Sequence, residues 1–263
     1  MKISVIYNKY INGYKETLSR VEELLIKNHI EFKSFDIDNM ELFGDIALVI
    51  GGDGTLLKAA RGVNAGVNKD ENIPVLGINI GRLGFLSQAA SVNELIEAVL
   101  EGDYFVEERM MLKSSGKTAL NDFVIKGCDS SRTSKFYLEI NDREVCDYIA
   151  DGLIISTPTG STAYGLSAGG PVLYPTLDAI TIVPICPHTL NARPLVVPSG
   201  EKITVRTGDK PLSVAVDGYD IEECVEKITI CASDKKAKLA FLNNRRFYSV
   251  LRDKLHWGWS GGQ

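Results

Sequence analysis

The most constraining feature of this sequence is a continuous apolar run that ends directly in a glycine-rich turn. Ile46–Ile50 reads IALVI, and GGDGT follows at residues 51–55 without a spacer. A strand that is apolar at every position is typical of a parallel sheet covered by helices on both faces. In such sheets ligands bind at the carboxyl ends of the strands, which is where these glycines lie. The run therefore predicts an α/β fold with a ligand site at residues 51–55.

The rest of the first hundred residues has the periodicity of an α/β domain. The predicted elements are strands at 2–7, 32–35 and 74–78 and helices at 16–28, 56–61 and 91–100. The last helix begins with a Ser91/Glu94 capping box, and Gly102 follows its end. We therefore predict an α/β N-terminal domain with an open, mostly parallel sheet over residues 1–102.

From about residue 104 the helical period disappears and short β-rich runs follow. The predicted strands are 123–126, 136–140, 153–156, 180–183, 203–206, 212–216, 228–231 and 239–242. This pattern predicts a β-rich C-terminal domain over residues 103–245. A helix at 247–255 and a glycine-rich tail close the sequence. We expect Trp257 and Trp259 in that tail to pack on a neighbouring domain or subunit.

Composition excludes several classes of partner. The 263 residues include 29 Lys and Arg against 34 Asp and Glu, a net charge of −5, so no broad basic surface is available to nucleic acid. No apolar run reaches about 18 residues, so we expect neither a membrane span nor a signal peptide, and the cytoplasm is the expected compartment. Five scattered cysteines and three dispersed histidines predict neither disulfides nor a metal site built from protein ligands.

The GGDGT turn has the chemistry of a phosphate-binding site with an added carboxylate. Glycines allow main-chain N–H groups to face a phosphate, and the helix that follows adds partial positive charge. Asp53 would repel a phosphate unless it holds Mg²⁺ or accepts a proton from an attacking hydroxyl group, and both roles belong to phosphoryl transfer. The alternative is a tight strand-to-helix turn in which Asp53 is the N-cap.

Three other motifs fit less well. The dinucleotide fingerprint G-x-G-x-x-G fails because Leu57 stands at its third glycine, and the P-loop-like residues 115–118 lack the first glycine, which is replaced by Met111. Residues 165–169 match the nucleophile elbow G-x-S-x-G, which with His256 would make a hydrolase. That elbow needs a strand that ends at the serine, whereas the preceding residues are polar and rich in turns. We expect none of the three to be functional.

Two further glycine-rich segments each follow a predicted strand. In residues 77–86, GINIGRLGFL, Arg82 is placed to reach a phosphate and Phe85 to offer its ring to a base or to nicotinamide. Residues 151–171, DGLIISTPTGSTAYGLSAGGP, combine many hydroxyl groups with small residues, which suits a polyol or a dinucleotide, and Tyr164 can stack. The structural alternatives are a core position for Phe85 and a Ser/Thr-rich turn that leads into a helix.

In their order along the chain, these motifs closely resemble those of the NAD kinase family. The resemblance covers about residues 46–220 and rests on GGDGT, NIGRLGFL at 79–86, Asn121-Asp122, the 151–171 segment, PHTL at 187–190 with Arg193-Pro194, and Val216-Asp217-Gly218. GGDGT alone is shared with diacylglycerol, sphingosine and phosphofructokinase-type kinases, whereas the STPTGSTAY block is specific. The resemblance implies transfer of a phosphoryl group from ATP, or from polyphosphate, to the 2′-hydroxyl of the adenosine ribose of NAD, with Mg²⁺ or Mn²⁺ carried by ATP.

The same resemblance implies roles for individual residues. Asp53 is the implied general base, and Asp122 and Tyr219 replace the glutamate and glutamine that are common at their positions. Donor phosphates are implied to bind at Gly51, Gly52, Gly54, Thr55 and Arg82. NAD is implied to bind at Asp53, Gly54, Phe85, Asn121, Asp122, Arg132, Asp151, Thr159, Thr162, Ala163, Tyr164, Ser167 and Tyr219.

The resemblance also implies an architecture and an assembly. An α/β domain joins a β-rich domain, the C-terminal tail, here residues 246–263, returns to the first domain, and homodimers or homotetramers complete each site. Two other functions stay open at this point: an NAD(P)(H)-binding sensor without chemistry, and a lipid or sugar kinase that uses GGDGT. Turnover separates the enzyme from the sensor, and the 151–171 segment argues against a lipid or sugar kinase.

Overall fold

The structure is a computed structural model that describes residues 1–41, 43–65, 73–81, 84–88, 90–128, 133–189, 191–208, 211–243 and 247–256. The strands are β1 Lys2–Tyr7, β2 Glu31–Asp36, β3 Ile46–Ile50, β4 Val75–Ile78, β5 Tyr104–Ser114, β6 Lys117–Ala119, β7 Asp122–Gly127, β8 Ser134–Ile140, β9 Arg143–Ala150, β10 Gly152–Ser156, β11 Ala179–Ile185, β12 Leu195–Pro198, β13 Ile203–Thr207, β14 Leu212–Val216, β15 Asp220–Val225 and β16 Lys227–Leu242. The helices are α1 Tyr14–Lys27, α2 Asp53–Ala65, α3 Val92–Glu101, α4 Tyr164–Ser167 and α5 Phe247–Leu255, with a 3₁₀ turn at Gly160–Thr162. Contacts divide the chain into unit 1, Met1–Glu108 with Ala237–Gln263, and unit 2, Arg109–Lys236.

Unit 1 is an α/β domain built on a parallel sheet. The strand order is β2-β1-β3-β4, with the last residues of β16 beside β4, and every pair in this order is parallel. All five residues of β3 are fully buried, as its apolar sequence predicts. Helices α1 and α3 share the core of this sheet through Val21, Leu25, Leu95 and Val99. The prediction of an open, mostly parallel sheet is confirmed.

The start of α3 shows how local sequence places a helix. Ser91 Oγ accepts the Glu94 N–H at 3.3 Å, and Glu94 Oε2 accepts the Ser91 N–H at 2.7 Å, which is the predicted capping box. Gly102 then ends the helix with a φ of 74°, a left-handed conformation that glycine adopts without strain.

Unit 2 is a β domain in which two sheets share one core. The first sheet has the order β12-β11-β10-β7-β14-β15 and the second the order β16-β13-β8-β9, and the pairing within both is antiparallel. The core combines apolar side chains of both sheets, among them Phe123 and Ile155 of the first and Phe136 and Val205 of the second. The prediction of a β-rich second half is confirmed.

β16 is the clearest departure from the predicted strands. The runs at 228–231 and 239–242 are two ends of one strand of 16 residues, so the prediction of two separate strands was wrong. The residues between them, ASDKKAK, are polar and mostly accessible, and a strand that is solvated on one side continues through such residues. Five further strands are absent from the sequence prediction, namely β5, β6, β9, β12 and β15. β9 is missed because it is exposed at most of its residues, and β12 because it ends in a proline.

The end of the chain bears on two further expectations. α5 belongs to unit 1 by its contacts, and Trp257 and Trp259 lie outside the described residues, so their packing stays a prediction.

Among the residues that the structure describes, no helix is both long and apolar enough to cross a membrane.

Candidate active site

The GGDGT turn lies between β3 and α2 in unit 1, at the carboxyl end of a buried parallel strand. α2 begins at Asp53, and the Gly52 carbonyl accepts the Leu56 N–H at 3.1 Å, so Gly52 and not Asp53 occupies the N-cap position. The first N–H groups of a helix have no partners within the helix and carry partial positive charge. The turn therefore offers an anion-binding helix end at the sheet edge where ligands bind in such folds.

The Asp53 carboxylate is directed at the second glycine-rich segment. Its Oδ2 accepts the Phe85 N–H at 2.6 Å, and its Oδ1 accepts the N–H groups of Leu86 at 3.1 Å and Ser87 at 3.2 Å. A carboxylate oxygen accepts up to two hydrogen bonds, so these two N–H groups fill Oδ1, whereas Oδ2 has one N–H partner among the described residues and keeps one acceptor position for a proton. Asp53 is thus a fixed, half-buried carboxylate with one oxygen able to act as a base.

The other predicted donor-site residues divide into buried and accessible ones. Thr55 is buried, and a Cβ at Gly51 would lie 2.6 Å from the Thr55 side chain, so these two residues shape the turn. Gly54 is exposed, and a Cβ at Gly52 would meet nothing within 4 Å, so both are open to a ligand. Arg82 lies outside the described residues.

Phe85 has contacts through both its backbone and its ring. Its N–H bonds Asp53, and the Nζ of Lys254 in α5 lies 5.5 Å from the centre of its half-buried ring. A cation at this distance from a ring is attracted to its face. Phe85 is therefore part of the surroundings of Asp53. It lies in unit 1, the α/β domain to which the sequence assigns it.

In unit 2 several of the predicted NAD-binding residues lie at one edge of the first sheet, among them Asn121, Asp122 and Thr159. The start of β7 meets the ends of β10 and β14 there, because neighbouring strands are antiparallel: Asp122 pairs with Ser156, and Phe123 pairs with Val216. The residues that lie beside these strand ends are Asn121, residues 157–160 and Asp217.

Asp217 organises this edge, and the sequence analysis gives it no role. Its carboxylate accepts the backbone N–H groups of Leu120 at 2.9 Å, Asn121 at 2.8 Å and Asp122 at 3.0 Å. The residue is buried and has a φ of 50°. Three N–H donors favour the charged form of a carboxyl group. The sequence Val-Asp-Gly after a predicted strand indicates a turn, but it does not indicate from which N–H groups the Asp217 carboxylate accepts hydrogen bonds.

Asp122 is a buried carboxyl group beside this carboxylate. It is only 4% exposed. Burial, and then the neighbouring charge of Asp217, raise the pKa of Asp122 to about 7, because both disfavour a second negative charge at the same place. Asp122 therefore changes its protonation state near neutral pH, where an ordinary aspartate is fully charged.

Several hydroxyl groups of the 151–171 segment stabilise the turn itself. Thr157 Oγ1 donates to the Leu120 carbonyl at 2.6 Å and accepts the Gly160 N–H at 3.0 Å. Ser161 Oγ donates to the Pro158 carbonyl at 2.7 Å. The Thr157–Leu120 bond joins the turn after β10 to the chain before β7, and the other two bonds lie within the turn. The density of hydroxyl groups that the sequence shows is therefore partly a requirement of the fold.

Thr159 also faces inward. It is buried, and its Oγ1 accepts a hydrogen bond of 3.2 Å from Nη1 of Arg109, a buried residue that the sequence analysis does not single out. The other predicted NAD-binding residues of this segment are more accessible. Tyr164 and Ser167 are exposed, and Thr162 and Ala163 are half-buried.

The structure does not bring Asp151 to the edge of Asn121 and Asp122. Asp151 precedes β10, whereas the edge is at the other end of that strand, roughly 17 Å away at about 3.3 Å per residue. Tyr219 follows Asp217 at the edge and is 53% exposed. Arg132 lies outside the described residues.

Replacing Gly160 with alanine should disrupt the edge. An added Cβ would lie 2.2 Å from the Asn121 carbonyl oxygen and 2.6 Å from Ser156 Oγ, so the turn or the start of β7 has to move. We expect a loss of about 1–3 kcal/mol in the free energy of unfolding, as for other overpacked sites, and a weaker NAD complex. Denaturant unfolding and titration calorimetry with NAD check both expectations.

Gly165→Ala is the matched control for this substitution. An added Cβ there would meet nothing nearer than 3.9 Å, and the residue lies in the same segment. If the Gly160→Ala and Gly165→Ala variants have the same free energy of unfolding and the same affinity for NAD, the close packing of Gly160 on Asn121 has no part in either property.

Unit 1 has a carboxylate at an anion-binding helix end and unit 2 has a polar sheet edge, and a nucleotide phosphotransferase uses features of both kinds. The sequence matches the family model of the ATP-NAD kinase N-terminal domain over residues 5–104 and that of the C-terminal domain over residues 120–242. An NAD kinase of Pseudomonas putida (strain W619) is 38% identical over an alignment of 275 positions that covers 92% of this chain and 91% of the relative. An NAD kinase of Geobacter sulfurreducens is 40% identical over an alignment of 237 positions that covers 84% of this chain and 81% of the relative. The chain belongs to the NAD kinase family.

One solved structure supports the same assignment, and a second supports the fold. The crystal structure of an NAD kinase from Archaeoglobus fulgidus in complex with ATP has a TM-score of 0.82 at 29% identity, covering 97% of this chain and 99% of that one. A yeast NADH kinase complexed with NADH has a TM-score of 0.83 over 100% of this chain and 89% of its own. At 21% identity the yeast structure bears on the fold alone.

Proposed function

We propose that this chain transfers the γ-phosphoryl group of ATP to the 2′-hydroxyl of the adenosine ribose of NAD, which yields NADP and ADP. The observation that carries the proposal is the Asp53 carboxylate, which three N–H groups fix at the start of α2 while Oδ2 keeps an acceptor position. A base beside an anion-binding helix end is what transfer to a hydroxyl group requires. The NAD kinases among the relatives support the choice of substrates.

In the proposed step the 2′-oxygen attacks the γ-phosphorus while Asp53 Oδ2 takes the hydroxyl proton. A bond forms between the 2′-oxygen and the γ-phosphorus, the bond from that phosphorus to the bridging oxygen breaks, and ADP leaves with the electron pair. The N–H groups of residues 52–54 hold the donor phosphates. Most of the acceleration in such transfers comes from alignment and electrostatic stabilisation, because there is little covalent chemistry for the protein to do.

We also propose that a divalent cation, Mg²⁺ or Mn²⁺, enters with ATP. Among the described residues, no group of three or more His, Cys, Asp or Glu side chains is placed to hold a metal ion. Both oxygens of Asp53 already accept backbone N–H groups. The Asp53 oxygens are therefore engaged by the backbone, and in this proposal the phosphates of ATP would hold the cation. Such a cation neutralises charge on the β- and γ-phosphates during transfer.

The position of Asp151 supports a homodimer or homotetramer. We propose that NAD binds at the edge formed by Asn121, Asp122 and Tyr219. Tyr164, which is exposed, follows the 157–160 turn closely in the sequence. Asp151 lies at the other end of β10. If Asp151 also contacts NAD, as the family resemblance implies, we propose that this nucleotide is held by a second copy of the chain.

Incubation of the purified chain with NAD, ATP and MgCl₂ tests the proposed function. NADP should accumulate in step with ADP, as scored by an NADP-specific dehydrogenase, and omission of ATP or addition of EDTA should stop it. Parallel reactions with polyphosphate and with NADH define the donor and the acceptor. Calorimetric NAD binding without NADP formation from either donor would contradict the proposal and favour a sensor.

A further inference from the structure

We infer that Ser87 is a positioning residue for the Asp53 carboxylate and acts through the backbone of residues 84–87. This inference rests on the proposed role of Asp53 as the base. Ser87 is fully buried, and its Oγ accepts the Gly84 N–H at 2.9 Å. The bond closes a four-residue turn, because it joins the first residue of the segment to the side chain of the last.

This closed turn sets the direction of three successive N–H groups. Those of Phe85, Leu86 and Ser87 all donate to the Asp53 carboxylate, at 2.6 to 3.2 Å. Successive N–H groups that converge on one anion hold it in a backbone concavity. Since two of them meet Oδ1 and one meets Oδ2, they fix the rotation of the carboxylate as well as its position.

The close fit of Gly84 against Asp53 supports the same inference. A Cβ at Gly84 would lie 1.7 Å from Asp53 Oδ1 and 2.1 Å from its carboxyl carbon, so no side chain fits between the turn and the carboxylate. Gly84 and Asp53 are more than thirty positions apart in the sequence. The turn therefore packs on a distant titratable carboxylate and not on apolar core side chains. The segment is thus shaped around the functional atoms of Asp53.

A misplaced base costs rate far more than it costs substrate affinity. A displacement of about 1 Å can lower the rate about 100-fold, because the reacting atoms no longer align. We therefore expect Gly84→Ala to lower kcat by about that factor. Ser87→Ala removes one hydrogen bond and should lower kcat by about tenfold. The KM values for NAD and ATP should stay within about threefold in both variants.

Gly200→Ala is the control for the glycine substitution. Its added Cβ would meet nothing within 4 Å, and Gly200 lies outside the proposed machinery, so its kcat should equal that of the wild type. Thermal unfolding of each variant separates loss of fold from loss of rate. If Gly84→Ala does not fold, Ser87→Ala alone decides the inference.

A double-mutant cycle with Asp53→Asn distinguishes positioning from a general structural role. If Ser87 acts through the base, Ser87→Ala should change kcat by less than about twofold once Asp53 is already replaced. An equal loss of kcat in both backgrounds, or a rise in KM with kcat unchanged, would overturn the inference. Failure of the proposed function looks different, since the wild type itself would then form no NADP.

Discussion

Asp53→Asn should lower kcat by about 10²–10⁴-fold, the contribution that a positioned general base supplies. Asparagine keeps the size of the side chain and one acceptor oxygen for the N–H groups of Leu86 and Ser87. Its amide nitrogen cannot take the ribose proton, and it faces the Phe85 N–H without accepting it. The dissociation constant for NAD should change only a few-fold, because the substitution removes an interaction of the transition state.

The measurement is steady-state NADP formation, with thermal unfolding of the same protein preparation. The unpaired Phe85 N–H costs about 1–3 kcal/mol of stability, so the variant has to be shown to be folded at the assay temperature. Asp38→Asn is the control, because Asp38 is in the same unit and bonds Lys58 at 2.6 Å in a partly exposed pair of little energetic weight. An Asp53 variant with more than half of the wild-type kcat would exclude the residue as the base.

The elements around Asp53 could be predicted because their signals are local. Five consecutive apolar residues fix β3 as a strand buried on both faces, and the glycines directly after it fix the turn. The α3 capping box is equally local, since both of its partners lie within one helical turn. In each case the residues that decide the structure are neighbours in the sequence.

The supporting residues of the site could not be predicted, because their partners are distant in the sequence. Asp217 meets N–H groups 95 to 97 positions earlier, and only the register of β7 against β14 brings them together. Ser87 and Gly84 likewise matter through Asp53, more than thirty positions away. A pattern of residue types indicates that a turn is present, but it does not indicate which distant groups the turn will meet.

The hydroxyl-rich segment shows a different limit. Sequence alone treats Thr159 and Tyr164 alike as candidates to contact a nucleotide. In the structure Thr157 and Thr159 are buried and bonded within the protein, whereas Tyr164 is 40% exposed. A turn has no regular period, so burial cannot be assigned to its residues as it can to alternate residues of a strand.

Asp122→Asn should remove a pH dependence of stability that the wild type carries. The pKa of Asp122 is about 7 in the folded chain, against an ordinary value of 3.8. Between these values the folded protein holds a proton that the unfolded chain has lost, so the free energy of unfolding falls as pH rises from about 4 to about 7 and is flat above. The difference between these two pKa values corresponds to about 4 kcal/mol. The asparagine variant lacks this cost and should be more stable than the wild type at pH 8 by up to about that amount.

Denaturant unfolding at pH 5, 6, 7 and 8 measures the effect as the difference between variant and wild type. Asp147→Asn is the control, because Asp147 is exposed and pairs with Lys135 at 2.7 Å, so its pH dependence between 5 and 8 should follow the wild type. A variant at Asp122 with the wild-type slope over this range would show that the carboxyl group titrates normally in the folded chain.

NAD affinity should move in the opposite direction from stability in the Asp122 variant. Under the proposed function the Asp122 carboxylate is retained for nucleotide binding, and the three N–H groups on Asp217 keep a second charge beside it despite the repulsion. A variant that gains stability at pH 8 and loses NAD affinity, both measured on one preparation, is therefore the expected result. A gain in stability with unchanged affinity would place the nucleotide elsewhere, because a carboxylate that costs stability and contacts no ligand has no function at this edge.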